Sequence, residues 1–278
     1  MNMFKPLTAT IGAEGAGIQL KDIVAENSGS AADMLRSALT DHKVLVFRDQ
    51  HPDPATHIAV GQRLGQLAPK HPLYPKVEGY EDIIRIINDD NNPPENEIWH
   101  ADVTFDENPC FAAVLHGVNI PPVGGDTLFV DMAAIVRDMS PSFKAYLRTL
   151  TAYHSMEQGF KFIHDRQQDD RASALSDSDK SQYSATHPVL RPHPITGAET
   201  LYVNASFTEY VHELSASESR HLLDYLFSLV HHPRYQLRVK WQPGTVLIWD
   251  NWATQHFACG DHYPQHREVQ RVTVQFAH

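Results

Sequence analysis

"LIWDNWATQHFACGDHYPQHREVQRVTV", Leu247 to Val274, holds an apolar strand, then His256 in a strand-like setting, then Arg267 and Arg271 leading into a second apolar strand. Short apolar runs of this kind, parted by turn residues, recur from Ile83 onward. They are Ile83–Ile87, Ile98–Phe105, Phe111–Val118, Thr127–Val130, Pro188–Leu190, Leu201–Val203, Leu237–Val239, Val246–Trp249 and Val272–Phe276. Pro121-Pro122, Gly124-Gly125 and Thr196-Gly197 mark turns between them. So many short strands predict an antiparallel sandwich or barrel, with a jelly roll (double-stranded β-helix) as leading candidate: mainly β, with flanking helices.

The helices are legible too. Asp53-Pro54 supplies an N-cap and a first-turn proline for a helix running to about Leu64, after a buried strand at Lys43–Phe47. Ala133–Leu150 is apolar at helical spacing, and Ser217–Val230 follows a Ser-x-Ser-Glu cap. No repeat or Gly/Ser linker divides the chain, which reads as a single domain over 1–278. A polar stretch at about 155–186 is either a solvated insertion or a lid over a site.

A formal charge of −11 and the lack of a basic stripe argue against a nucleic-acid partner, though not against a small anionic substrate. Cys110 and Cys259 form no C-x-x-C pair, and no signal core or membrane-spanning apolar stretch is visible. The expectation is a reduced, cytoplasmic protein without membrane attachment.

"IWHADVTFDENP", Ile98 to Pro109, raises the question of metal chemistry through His100-Ala101-Asp102. The spacing alone is weak, since His51-Pro52-Asp53 repeats it where a helix cap explains it, and one histidine among 18 is more often a core or surface residue than a ligand. On a strand, however, His100 and Asp102 share a face, and a histidine from a distant strand, such as His256, would complete two imidazoles and a carboxylate. That facial triad belongs to non-haem Fe(II) oxygenases and leaves positions open for a co-substrate and O2. Arg267, eleven residues beyond His256, is a guanidinium suited to the distal carboxylate of a 2-oxo acid.

With those residues in place, the chain resembles the TauD/TfdA family of Fe(II)/2-oxoglutarate-dependent dioxygenases. The matching stretches are WHADVTF (Trp99–Phe105), GGDTLF (Gly124–Phe129), HPITG (His193–Gly197), LYVNASFT (Leu201–Thr208) and WDNWATQHFACGDHYPQHREVQR (Trp249–Arg271), with LTATIGAEGAGIQL at the start. The resemblance implies His100, Asp102 and His256 as iron ligands, and Thr127 and Arg267 as contacts to 2-oxoglutarate. It implies oxidative decarboxylation to succinate and carbon dioxide coupled to substrate hydroxylation, in a homo-oligomer, dimer or tetramer. It also places His71, Tyr74, Asn96, Phe105, Phe160, Phe207 and Arg271 near the prime substrate, a small organic anion.

A taurine-like alkanesulfonate, losing sulfite, is the expected substrate. An alkyl sulfate, an aryloxyalkanoate or an amine-bearing carboxylate are alternatives with the same chemistry, and a metal-binding jelly roll without catalysis is the non-enzymatic one. Departures from the taurine pattern cluster near the substrate region: Ala101 between the ligands, SMEQGFKFIHD around Phe160, Asn204-Ala-Ser-Phe207, and Trp252 after Asp-Asn. A halogenase is disfavoured because Asp102 supplies the carboxylate such enzymes lack.

Overall fold

Residues 44–47 (VLVF) and 246–250 (VLIWD) are apolar at every position because their sheet is covered on both faces. A computed structural model describes residues 3–26, 28–69, 74–95, 97–159 and 183–276. Among these, the larger sheet has nine strands. At its centre the Val44–Phe47, Val246–Asp250, Ala112–Asn119, Arg267–Gln275 and Tyr80–Asn88 strands lie side by side. The smaller facing sheet has Gln236–Val239, Thr127–Asp131 and Thr254–Ala258 in that order, all antiparallel.

Alternation of side chains sorts each strand's residues between two cores. Val44, Val46, Ala113, Leu115, Leu247 and Trp249 face Phe129, Leu237 and Val239 of the smaller sheet and form the core of the sandwich. Leu45, Phe47, Ala112, Val114, Val246 and Ile248 point the other way, against the Leu20–Ala25, Ser30–His42 and Pro54–Leu64 helices. The jelly-roll expectation therefore holds, with helices covering the outer face of the larger sheet.

Local signals behave as read at several points. Asp53 caps the Pro54–Leu64 helix by accepting from Thr56 N. Ser215 and Glu218 form a reciprocal capping box ahead of the Ala216–Ser228 helix.

Three expectations need correction, and the strand expected at Leu201–Val203 lies two residues earlier, at Glu199–Leu201. The helix expected over Ala133–Leu150 is two, Met132–Asp138 and Pro141–Leu147, because Ser140 caps a new start and Pro141 cannot continue the old helix. The strand expected at Pro188–Leu190 breaks at Val189: Ser184–Pro188 and Leu190–Pro192 join different sheets. The strand expected over Ile98–Phe105 does not form; only His100 pairs, as an isolated bridge to His256. Most of the stretch at about 155–186, from 160 to 182, lies outside the described residues. No helix among those described is long and apolar enough to cross a membrane.

Candidate active site

His256 enters the sandwich on the Thr254–Ala258 strand, opposite Phe129. Its backbone exchanges both hydrogen bonds with His100: His100 N donates to His256 O (3.1 Å) and His256 N to His100 O (2.8 Å). Such a pair puts side chains next to each other, and the two rings lie 4.1 Å apart between centroids. Trp249, 5.0 Å away, and Phe129, 6.1 Å away, pack on His256 and restrict its rotamer.

Asp102 reaches the same point by another route. The side-chain amide of Asn251 substitutes for a strand partner: its Oδ1 accepts from Asp102 N (2.8 Å), while Nδ2 donates to Asp102 O (3.0 Å) and Cys110 O (3.1 Å). Just beyond, Val103 takes a left-handed conformation (φ 49°) and Asp106 N donates back to Val103 O. The chain turns there instead of extending, because side-chain and turn hydrogen bonds satisfy a backbone that a ladder would otherwise hold. The turn, not period two, aims the carboxylate at the histidines. Asp102 Oδ1 stands 3.9 Å from both His100 Nε2 and His256 Nε2. All three residues are buried, and one donor atom from each lies within 4.8 Å of the others.

The protonation states suit a divalent metal. His100 Nδ1 donates to Ile98 O (2.8 Å), which leaves the Nε2 lone pair toward Asp102. Burial lowers the His100 pKa and takes His256 to about 3, so both rings are neutral donors. Burial would raise the Asp102 carboxyl, but the Arg271 guanidinium overrides it and holds it at about 2. Two neutral imidazoles and an ionised carboxylate, converging and shielded from water, fit a metal of the Fe(II) type.

The cluster lies on the wall of a cavity of about 280 Å³. Arg267 lines it, 4% exposed, its guanidinium 5.5 Å from the Trp241 ring. No described carboxylate forms an ion pair with it, its Nε is buried without a partner, and burial lowers its pKa to about 10. An unpaired buried guanidinium at a cavity wall is costly unless an anion arrives. Thr127 Oγ1, also on the wall, accepts from Trp241 Nε1 (3.0 Å). Gly124 and Gly125 both have left-handed φ (82° and 72°), and a Cβ on Gly125 would stand 3.0 Å from Arg267 Cδ. The double glycine thus serves as turn and as clearance for the arginine.

Of the residues singled out for the substrate, Tyr74, Phe105, Phe207 and Arg271 also line the cavity. Phe105 and Phe207 meet edge to face at 5.1 Å, and Phe207 stands 6.4 Å from His100. Arg271 has a partner that the sequence did not reveal: its Nη1 donates to both Asp102 oxygens at 2.8 Å. His71, Asn96 and Phe160 lie outside the described residues. Sequence reasoning missed Asn251 and Trp241. Asn251 sits within the quoted WDN stretch, but nothing local ties it to a residue 149 positions away.

The profile of the taurine catabolism dioxygenase TauD, TfdA family matches residues 3–273. The chain belongs to the TauD/TfdA family. It is 34% identical over 273 residues to an alkylsulfatase of Acinetobacter baylyi, covering 97% of this chain and 84% of the relative. It is 32% identical over 273 residues to an alpha-ketoglutarate-dependent sulfate ester dioxygenase of Pseudomonas putida, covering 97% and 88%. The crystal structure of a taurine dioxygenase from Burkholderia xenovorans superposes with a TM-score of 0.81 at 30% identity, covering 98% of this chain and 88% of that one. The protein is a non-haem Fe(II)- and 2-oxoglutarate-dependent dioxygenase, consuming O2 and acting on a small organic anion.

Proposed function

We propose that this TauD/TfdA-family dioxygenase oxidises the carbon bearing the ester oxygen of an alkyl sulfate. The observation that carries the reading is one cavity in which two buried arginines, Arg267 and Arg271, stand across a mixed wall from a patch of apolar and aromatic side chains. Ile86, Leu115 and Val269 line it beside Phe105, Met156 and Phe207, which suits an alkyl chain ending in an anion. Relatives matching nearly the whole chain act, by their names, on sulfate esters.

In this reading His100, Asp102 and His256 hold the metal. Fe(II) bound there supplies activation of O2, coupling decarboxylation of 2-oxoglutarate to oxidation of a C–H bond. Arg267 pairs with the distal carboxylate of 2-oxoglutarate, and the Thr127 hydroxyl donates to it while still accepting from Trp241. Arg271 keeps Asp102 ionised and turned toward the histidines, and its remaining donors face the sulfate. Phe105 and Phe207 exclude water and set the alkyl chain near His100. Hydroxylation of R–CH2–OSO3⁻ gives R–CH(OH)–OSO3⁻, whose C–O bond to sulfate breaks to leave R–CHO and HSO4⁻. Succinate and carbon dioxide are the co-products.

The test is incubation of the purified protein with Fe(II), ascorbate, 2-oxoglutarate, O2 and either hexyl sulfate or taurine, assaying succinate, sulfate and sulfite. Hexyl-sulfate-dependent succinate with equimolar sulfate is expected. Taurine-dependent sulfite with no sulfate release would instead establish the alkanesulfonate reading. That second reading is favoured by the Burkholderia structure and by a 32% identical sulfonate dioxygenase of Saccharomyces cerevisiae.

A further inference from the structure

Asn204 is 2% exposed and touches neither His100, Asp102 nor His256, yet it joins the two loops that shape the cavity around them. Its Nδ2 donates to Thr104 Oγ1 at 3.0 Å, two residues beyond Asp102 and one before Phe105. Its Oδ1 accepts from Ser206 N (3.2 Å) and Phe207 N (2.9 Å). The neighbours leave no freedom in the amide's orientation, since the two backbone N–H groups can only donate. Only a side chain that donates at one end and accepts at the other serves here. Asp lacks the donor, Leu lacks both, and the buried backbone N–H groups have no other described acceptor.

The Thr104 end needs such a tie. The turn after Asp102 has no ladder partner and carries a β-branched residue at positive φ, Val103, a conformation held only when its surroundings impose it. Besides the Asp106 N–Val103 O bond and the Asn251 clamp on Asp102, its restraints include the Asn204 bond, a shared bond between Thr104 Oγ1 and His154 Nδ1 (3.0 Å), and the His187 Nε2–H group, which donates to Thr104 O (2.9 Å) and Asp106 O (3.1 Å). Among these, Asn204 holds the Phe207 loop through two backbone N–H groups, and His154 Nδ1 also meets that loop at Thr208 Oγ1 (3.3 Å).

We propose that Asn204 is a positioning residue that locks the Asp102–Phe105 turn to the Phe207 loop, so that the aromatic wall stays in register with the carboxylate and substrate oxidation stays coupled to 2-oxoglutarate consumption. This rests on reading the cavity as the substrate site. Neither Arg267 nor Thr127 touches Asn204, so its loss spares 2-oxoglutarate binding. What loosens is the placement of the substrate's C–H bond, where a displacement of about 1 Å is costly.

Two measurements on Asn204→Leu test it, one of which needs no substrate. In the metal-free protein, hydrogen exchange at amides 103–108 and 205–208 is expected to quicken about tenfold or more, with the sandwich strands unchanged. In the Fe(II) enzyme with 2-oxoglutarate, O2 and hexyl sulfate, the KM for 2-oxoglutarate should stay within about twofold, while sulfate released per succinate falls about tenfold. Thr104→Val should reproduce both effects and carries the test if Asn204→Leu does not fold, and the double variant should be no worse than either single. Unchanged exchange in both loops would overturn the proposal. So would sulfate and succinate falling together at a constant ratio. If hexyl sulfate is not turned over by the parent enzyme, only the substrate assignment fails, and the exchange result still decides the role of Asn204.

Discussion

Asp102 meets two demands: it must stay ionised when buried, and it must hold one oxygen beside both imidazole Nε2 atoms, 3.9 Å from each. Arg271 secures the first through its Nη1, and Asn251 the second by gripping the backbone. Asp102→Ala is expected to abolish Fe(II)-dependent 2-oxoglutarate turnover and, by stranding the buried Arg271 charge, to cost about 3 kcal/mol in urea unfolding. Asp102→Asn should abolish turnover with a smaller stability loss. His51→Ala should leave turnover at the parent rate, because His51-Pro-Asp53 is a helix cap and not half of a site. Arg267→Ala, which removes the unpaired cation, should raise the KM for 2-oxoglutarate by about 100-fold or more. A KM unchanged in steady-state assays would remove Arg267 from the co-substrate site.

At the scale of elements, the site hangs on connections as much as on strands. Gly125 must be left-handed and must clear Arg267, so Gly125→Ala costs about 1–2 kcal/mol of backbone strain and pushes the guanidinium aside. Thermal melts should show the first, and a raised KM for 2-oxoglutarate without much change in kcat the second. The two short helices at 132–147 follow a local rule that a moving apolar pattern conceals, whereas Val189 is held by distant backbone, donating to Leu150 O and accepting from Tyr202 N. Ser140-Pro141 is a cap with a first-turn proline, readable beside Asp53-Pro54, and apolar spacing alone passes over it. By contrast, the failed strand at 98–105 had no local warning. Its apolar alternation is genuine, but Asn251 competes for its backbone from the far end of the chain.

The whole molecule places the triad on a sandwich whose cores, on both faces of the larger sheet, form without the metal. Chelation should therefore abolish turnover while the unfolding transition remains cooperative, and Fe(II) at about 100 times its Kd should add about 2.7 kcal/mol. Acid should weaken the fold from outside the site as well. His57, buried under the Pro54–Leu64 helix with Nε2–H donating to Val114 O (3.0 Å), is held by burial at a pKa of about 4. The unfolded chain binds that proton already near pH 6.5, so stability is lost as pH falls from about 6.5 toward 4. The loss attributable to His57 is on the order of 3 kcal/mol. His57→Gln should flatten that slope in denaturant titrations on the metal-free protein; an unchanged slope would contradict the assignment.

The sequence by itself determined what depends on neighbours along the chain. Most strands were legible because a sheet buried on both faces must be apolar at every position. The 54–64 helix was legible because Asp-Pro caps it, and the resemblance of the quoted stretches to one family singled out His100, Asp102, His256, Thr127 and Arg267 as candidates. Only the tertiary structure decided how those residues meet. The His100–His256 bridge, the Asn251 clamp and the Arg271–Asp102 pair each join residues more than 140 positions apart. Such contacts arise from sheet register and from competition for buried hydrogen bonds, and neither leaves a periodic trace in the residues that take part.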